Sequence, residues 1–172
     1  MERSTDNRKV PGPNPGGPTF FPLKKNGVKT MVQSKNNSET KPVIVTSNLI
    51  KKNGKYLLVQ EGEGPAKGLW NFPAGRLEHN VPLSWNAEKE VKEETGYQAR
   101  VKGLVGVYQD VSPKYCRVII VFNSSIAGGS LRKHATEEIL QAKWLALAEI
   151  KKMKKQLRSE YLLESIADYE KG

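Results

Sequence analysis

The segment LSWNAEKEVKEETG, residues 83–96, constrains the fold more than any other part of the chain. It is rich in helix formers, follows Pro82 and runs up to Gly96, so it predicts a helix over 83–95 closed by a glycine cap. Strand-like runs lie on both sides of it. VIVTSNLI, KKNG and KYLLVQ read as two strands around an Asn53-Gly54 hairpin turn. The loop EGEGPAKG (61–68) and the short apolar stretch LWNFPAG (69–75) lead into the helix region. After the helix, 99–110 and 115–125 read as strands, Ala127-Gly128-Gly129 is expected to turn the chain, and 142–147 adds a short strand. Residues 147–155 and 158–171 read as helices, the second with Tyr161, Leu162, Ser165, Ile166 and Tyr169 as a packing stripe. This order predicts a mixed α/β domain: one mixed sheet with helices against it.

The domain is expected to begin at Pro42. Residues 1–41 are rich in Pro, Gly, Asn, Ser and Lys and show neither helical nor strand periodicity. Such a segment cannot bury enough apolar surface to offset its ordering entropy, so it reads as a disordered basic tail. The net charge is +10, and the tail holds +5 of it. That excess favours polyanionic partners, and phosphate-rich small molecules satisfy it as well as nucleic acid does. The lone cysteine, Cys116, excludes an intrachain disulfide and a cysteine-built zinc site. No apolar run approaches the roughly 18–20 residues of a membrane span, and the first residues lack an apolar signal core. The expectation is a protein of the cytoplasm, or of the nucleus, that does not enter membranes.

The chemistry is concentrated on the helix. Glu90, Glu93 and Glu94 stand at i, i+3 and i+4, so both later carboxylates neighbour Glu90. Each like-charge pair at this spacing costs about 0.2–0.5 kcal/mol, and the C-terminal end of the macrodipole adds to the penalty. The cluster becomes favourable against hard divalent cations, which take oxygen ligands and bridge carboxylates to phosphates. A solvated acidic face, with Glu88 paired to Lys92 and Lys89 partly neutralising Glu93, fits the same spacing.

The run GRLEHNVPLSWNAEKEVKEETGY resembles the Nudix box: Gly, five residues, Glu, seven residues, Arg-Glu, an apolar residue, any residue, Glu-Glu, any residue, Gly and an apolar residue. Gly75, Glu90, Val91, Glu93, Glu94, Gly96 and Tyr97 all fall in register. The resemblance runs from about Pro42 to the C-terminus and is greatest to small bacterial Nudix phosphohydrolases acting on nucleoside and thiamine-precursor pyrophosphates. It implies a Nudix fold, an α/β/α sandwich. By resemblance, Glu90, Glu93 and Glu94 would bind Mg²⁺ or Mn²⁺ with a backbone carbonyl near Gly75, and Glu90 and Glu93 enter the catalytic set, Glu90 being the better candidate base. Glu138, six residues before Trp144, stands where the family often has a further acid, with Glu137 the adjacent alternative. Trp70, Phe72 and Lys89 are candidate substrate contacts, the two aromatics being open to a core role as well.

Two positions depart from the pattern: Val81 stands where it has Glu, and Lys89 where it has Arg. In the family those side chains commonly brace the loop and helix, so losing both strands no lone charge. Lys89 keeps the positive charge but gives up the planar fork. The resulting expectation is metal-dependent hydrolysis of a nucleotide-type pyrophosphate, with activity reduced by the two departures. The alternative is a Nudix-fold module that binds nucleotide or nucleic acid without turnover. Pairing into a homodimer, common in the family, is open on sequence grounds. Glu93→Gln and Glu94→Gln are both expected to abolish turnover.

Overall fold

The computed structural model describes residues 41–172 other than 113, 114 and 134. The tail expected over 1–41 therefore lies, apart from Lys41, outside the described residues. The element order is β1 (Val43–Lys52), β2 (Lys55–Glu61), β3 (Trp70–Asn71), β4 (Ala74–Arg76), α1 (Leu83–Thr95), β5 (Tyr97–Ser112), β6 (Tyr115–Gly129), β7 (Ile139–Ala146), α2 (Leu147–Lys152) and α3 (Tyr161–Lys171). Short 3₁₀ turns occupy Gly64–Ala66 and Lys154–Gln156. Among the described residues no helix is long and apolar enough to cross a membrane.

The β1–β2 hairpin closes on Asn53 and Gly54, both at positive φ, 50° and 74°. This is the pairing that suits the twist of a two-residue hairpin loop. Helix α1 ends where Gly96 takes φ 84° and its N–H reaches Lys92 O. A side chain there would also meet the carbonyl of Ser130 at 2.7 Å, so conformation and close approach both require glycine.

Strands β3, β2, β1, β6 and β5 follow one another across the sheet, with β4 on β1 and β7 on β2. The β1–β6 pair is parallel, and the other pairs are antiparallel. Alternation along the strands then separates two cores. Leu49 and Leu58 join Trp70, Phe72, Ile119, Val121, Tyr161, Leu162 and Ile166 on the face covered by α2 and α3. Their chain neighbours Ile50 and Leu57 point the other way and pack with Val91 of α1 and Ala99. The sheet lies between helices on its two faces, a mixed α/β sandwich, as the order of strand-like and helical segments predicts.

Two elements differ from expectation. Gly128 and Gly129 do not turn the chain; they continue β6 and pair with Gln98 and Tyr97, because β5 starts at Tyr97 and offers a partner that far. The helix expected over 147–155 stops at Lys152, and the one expected from Arg158 starts at Tyr161. Arg158 belongs to the connecting segment, where its N–H bonds Trp70 O at 2.9 Å.

Strand β1 changes neighbours along its length. Its last residues, Lys51 and Lys52, pair with β2, whereas Val45, Thr46 and Ser47 pair with β4. The two sheet halves diverge at this fork, and a cleft opens there.

Candidate active site

A cleft of about 380 Å³ lies at the fork, in the size range of small-molecule sites. Its acidic end is lined by Glu61 from the end of β2, Ala74 and Gly75 of β4, Glu90 and Glu94 of α1, and Glu138 at the start of β7. Helix α1 is fixed over it by buried asparagines. Asn48 Nδ2 donates to the carbonyls of Pro73 at 3.2 Å and Ala87 at 2.8 Å, and Asn48 Oδ1 accepts from Ser124 Oγ at 2.9 Å. Asn86 Nδ2 donates to Thr46 Oγ1 at 2.8 Å and Arg76 O at 3.2 Å, while its Oδ1 accepts from Glu78 N–H at 3.0 Å. Strand β1, strand β4, the following loop and the helix are thereby tied in one frame. Such frames hold functional groups in place better than free loops do.

Gly75 permits the central contact. A Cβ built there would sit 1.9 Å from Glu90 Oε1, so only glycine lets the Glu90 carboxylate lie against the β4 backbone. Glu94 Oε2 accepts the Ala74 N–H at 3.1 Å. Burial pushes the Glu90 pKa up to about 7; Glu93, Glu78 and Glu138 push in the same direction, and Lys89 opposes them. Burial, then the nearby Glu61 and Glu90 charges, hold the Glu94 pKa well above the usual carboxylate range against the pull of the Ala74 N–H and Arg158. For both acids burial thus outweighs the nearby positive charges.

A polar chain supports the far wall. A register shift between Gln60 and Glu61 marks a bulge at the end of β2, which turns Glu61 into the cleft. Glu61 pairs with Arg158 and accepts from Asn71 Nδ2 at 3.2 Å. Tyr161 donates to Asn71 Oδ1 at 2.6 Å. Burial raises the Tyr161 pKa to about 12, so the phenol stays a donor.

The structure brings together Gly75, Glu90, Glu94 and Glu138 among the residues read from sequence. It does not bring Glu93 with them: Glu93 is exposed and holds Lys89 at 2.5 Å. Lys89, expected at the substrate, instead bridges Glu93 and Glu78, the latter at 2.9 Å, and does not line the cleft. Those two partners raise its pKa, Glu93 foremost. Glu78 supplies the brace that Val81 lacks, from three residues earlier in the same loop. Trp70 and Phe72 are also not in the cleft. They are 5% and 0% exposed, and Phe72 packs edge-on to Tyr161 at 6.5 Å, because β3 faces them into the larger core. Arg158, which the sequence places at the start of the last helix, turns inward to Glu61. Trp85 lies on the outer side of α1, 49% exposed.

Sequence reasoning missed Glu61, Asp110, Tyr115 and Arg117 as cleft residues. Their strands were legible. Nothing local marks the individual side chains, which meet only through the strand order β2-β1-β6-β5.

Could this site hold a divalent cation? Among the described residues no three His, Cys, Asp or Glu side chains are gathered in a ready-made metal cage. Magnesium seldom needs one, being held by one or two carboxylates with water and substrate phosphate. Glu90 and Glu94, both partly buried and lining the same cleft, form such a donor pair. The donor set fits a hard cation.

The NUDIX domain model matches residues 40–165, and the chain belongs to the Nudix hydrolase family. It is 32% identical over 114 residues to an ADP-ribose pyrophosphatase of Methanocaldococcus jannaschii, covering 65% of this chain and 66% of that protein. It is 30% identical over 133 residues to phosphatase NudJ of Shigella boydii, covering 77% and 86%. Among solved structures, a NUDIX hydrolase from Nitrosomonas europaea superposes with TM-score 0.71 at 26% identity, covering 77% of this chain and 90% of that one. The chain spans from 28% to 86% of the length of these and other curated relatives.

Proposed function

We propose that this chain hydrolyses the pyrophosphate bond of a nucleoside diphosphate linked to another moiety, using Mg²⁺ or Mn²⁺. The observation that carries this reading is the placement of Glu90 and Glu94 together in the cleft, Glu90 against the Gly75 backbone and Glu94 on the Ala74 N–H. A buried pair of like charges is costly for a fold and favourable for a site that receives cations. Relatives named as a pyrophosphatase and a phosphatase support the same reaction class.

Glu90, Glu94 and the Gly75 carbonyl would hold the cation. When bound, it neutralises phosphate charge and lowers the pKa of water. The chain's own groups do the rest. Arg76 and Arg158, both in the cleft, present guanidinium donors to phosphate oxygens. Glu138, in the cleft near Glu90, is a further carboxylate able to accept the proton of the attacking water, beside Glu90 itself. Water oxygen joins one phosphorus, the bridging P–O bond breaks, and two phosphorylated products leave. No covalent enzyme intermediate is needed.

The test is product release from a panel of nucleoside tri- and diphosphates, nucleotide sugars, dinucleotides and thiamine-type pyrophosphates, with Mg²⁺ or Mn²⁺ and with chelator. Cation-dependent release from at least one nucleotide pyrophosphate is the expected result. Uniform silence from folded protein would overturn the reading and favour a module that binds without turnover.

A further inference from the structure

The cleft has a second end that the carboxylates do not explain. Arg117 of β6 lies over the Tyr115 ring, guanidinium carbon to centroid 4.2 Å, and its Nη1 approaches Asp110 Oδ2 of β5 at 3.5 Å. All three line the same cleft as Glu90 and Glu94. Strand register places them. Arg117 is opposite Asp110 on one side and Val43 on the other, while the next row toward the acids holds Ile119, Val45 and Arg76. Gly75 is opposite Thr46, three residues along β1 from Val43. Three residues of strand span about 10 Å.

We propose that Tyr115, Arg117 and Asp110 form the base-recognition end of the cleft and select nucleobases bearing an exocyclic amino group. The inference rests on the pyrophosphatase reading above and adds which nucleotides the site prefers. A phosphate chain held between Gly75 and Arg76 leaves a sugar and base to extend toward Val43 and Arg117. Val43, Val45 and Ile119 give that stretch an apolar floor, and the flat guanidinium held on an aromatic ring offers a stacking surface. Asp110 sets the preference. An ionised carboxylate only accepts hydrogen bonds, so it rewards the amino group of adenine, cytosine or guanine and opposes a keto oxygen at the same place.

The experiment compares an adenosine-diphosphate derivative with the inosine derivative of the same second moiety, which differs in an amino against a keto group. The parent is expected to favour adenosine by about tenfold or more in kcat/KM, as sites built to bond a substrate amine do. Asp110→Asn, whose amide can face either group, should bring that ratio toward one. Arg117→Lys keeps the charge and removes the flat face; it should raise KM for the adenosine substrate by about tenfold while kcat moves much less. Equal use of the two bases by the parent, or an unchanged ratio in Asp110→Asn, would overturn the proposal while leaving the hydrolase reading standing. If the parent hydrolyses neither compound, the hydrolase reading is decided by the wider panel above, and equilibrium binding of the same two compounds to the full chain decides the subsite. Adenosine bound at least about tenfold more tightly supports it, and equal or absent binding overturns it.

Discussion

Helix α1 carries two pairs of charged residues separated by a fraction of a turn, and they behave in opposite ways. Glu90 and Glu94 turn inward to the β4 backbone, where burial raises both pKa values. Lys89 and Glu93 turn outward, where Lys89 bridges Glu93 and Glu78 in water. The inner pair is unfavourable for folding and chemically equipped; the outer pair braces the loop at small energetic consequence. Three glutamates at i, i+3 and i+4 therefore do not act as one cluster in this structure. The helix places Glu90 and Glu94 in the cleft and Glu93 outside it, on Lys89.

The largest effect separating the two faces is expected from Glu94→Gln. It should cut turnover by about 10²–10⁴-fold while far-UV circular dichroism and the denaturant midpoint stay near the parent values. Loss of fold together with activity would put Glu94 in the scaffold instead. Asn86→Ala comes next. It strands the Glu78 N–H and the Arg76 carbonyl, so urea unfolding should show a loss of about 2–3 kcal/mol. Glu93→Gln should lower turnover by about tenfold, well short of the Glu94 effect, because it loosens the loop without emptying the cleft. Comparable losses in the two variants would erase the distinction between the faces. The smallest effect is Lys89–Glu78 coupling, expected at about 0.2–1 kcal/mol in a double-mutant cycle and reduced by salt.

The pH dependence sharpens the same contrast. Glu90 has a folded pKa raised to about 7 from an ordinary 4.5, so between those values the folded state holds more protons than the unfolded one. Its contribution to stability must then fall as pH rises from about 4.5 to 7, and the penalty is complete above that window. Chemical unfolding of the cation-free protein against pH should show this decline together with that of Glu94, and Glu90→Gln should make it shallower.

Much of the fold was legible because local signals agree with the final structure. The α1 span is read from Pro82 and Gly96, and the first hairpin from Asn53-Gly54. Gly128-Gly129 misled because a glycine pair looks like a turn, whereas the start of β5 at Tyr97 keeps it paired. The site was legible where its residues share one segment, from Gly75 to Glu94. Spacing tells which side chains are neighbours on a helix, yet not which face the sheet will cover, and so Glu93 and Lys89 were grouped with the site. Trp70 and Phe72 show the same gap, since an aromatic beside a site can face the core as readily as the ligand. Glu61, Asp110, Arg117 and Arg158 come from elements far apart in sequence and meet only through the fork of β1.

The central claim is that Glu90 and Glu94, rather than the outer pair, form the cation-dependent site. Manganese titration by calorimetry, run on the parent, Glu94→Gln and Glu93→Gln at one pH above 7, tests it most directly. The expected result is saturable Mn²⁺ binding in the parent, lost in Glu94→Gln and retained within about tenfold in Glu93→Gln. Binding that survives in Glu94→Gln and disappears in Glu93→Gln would contradict the account.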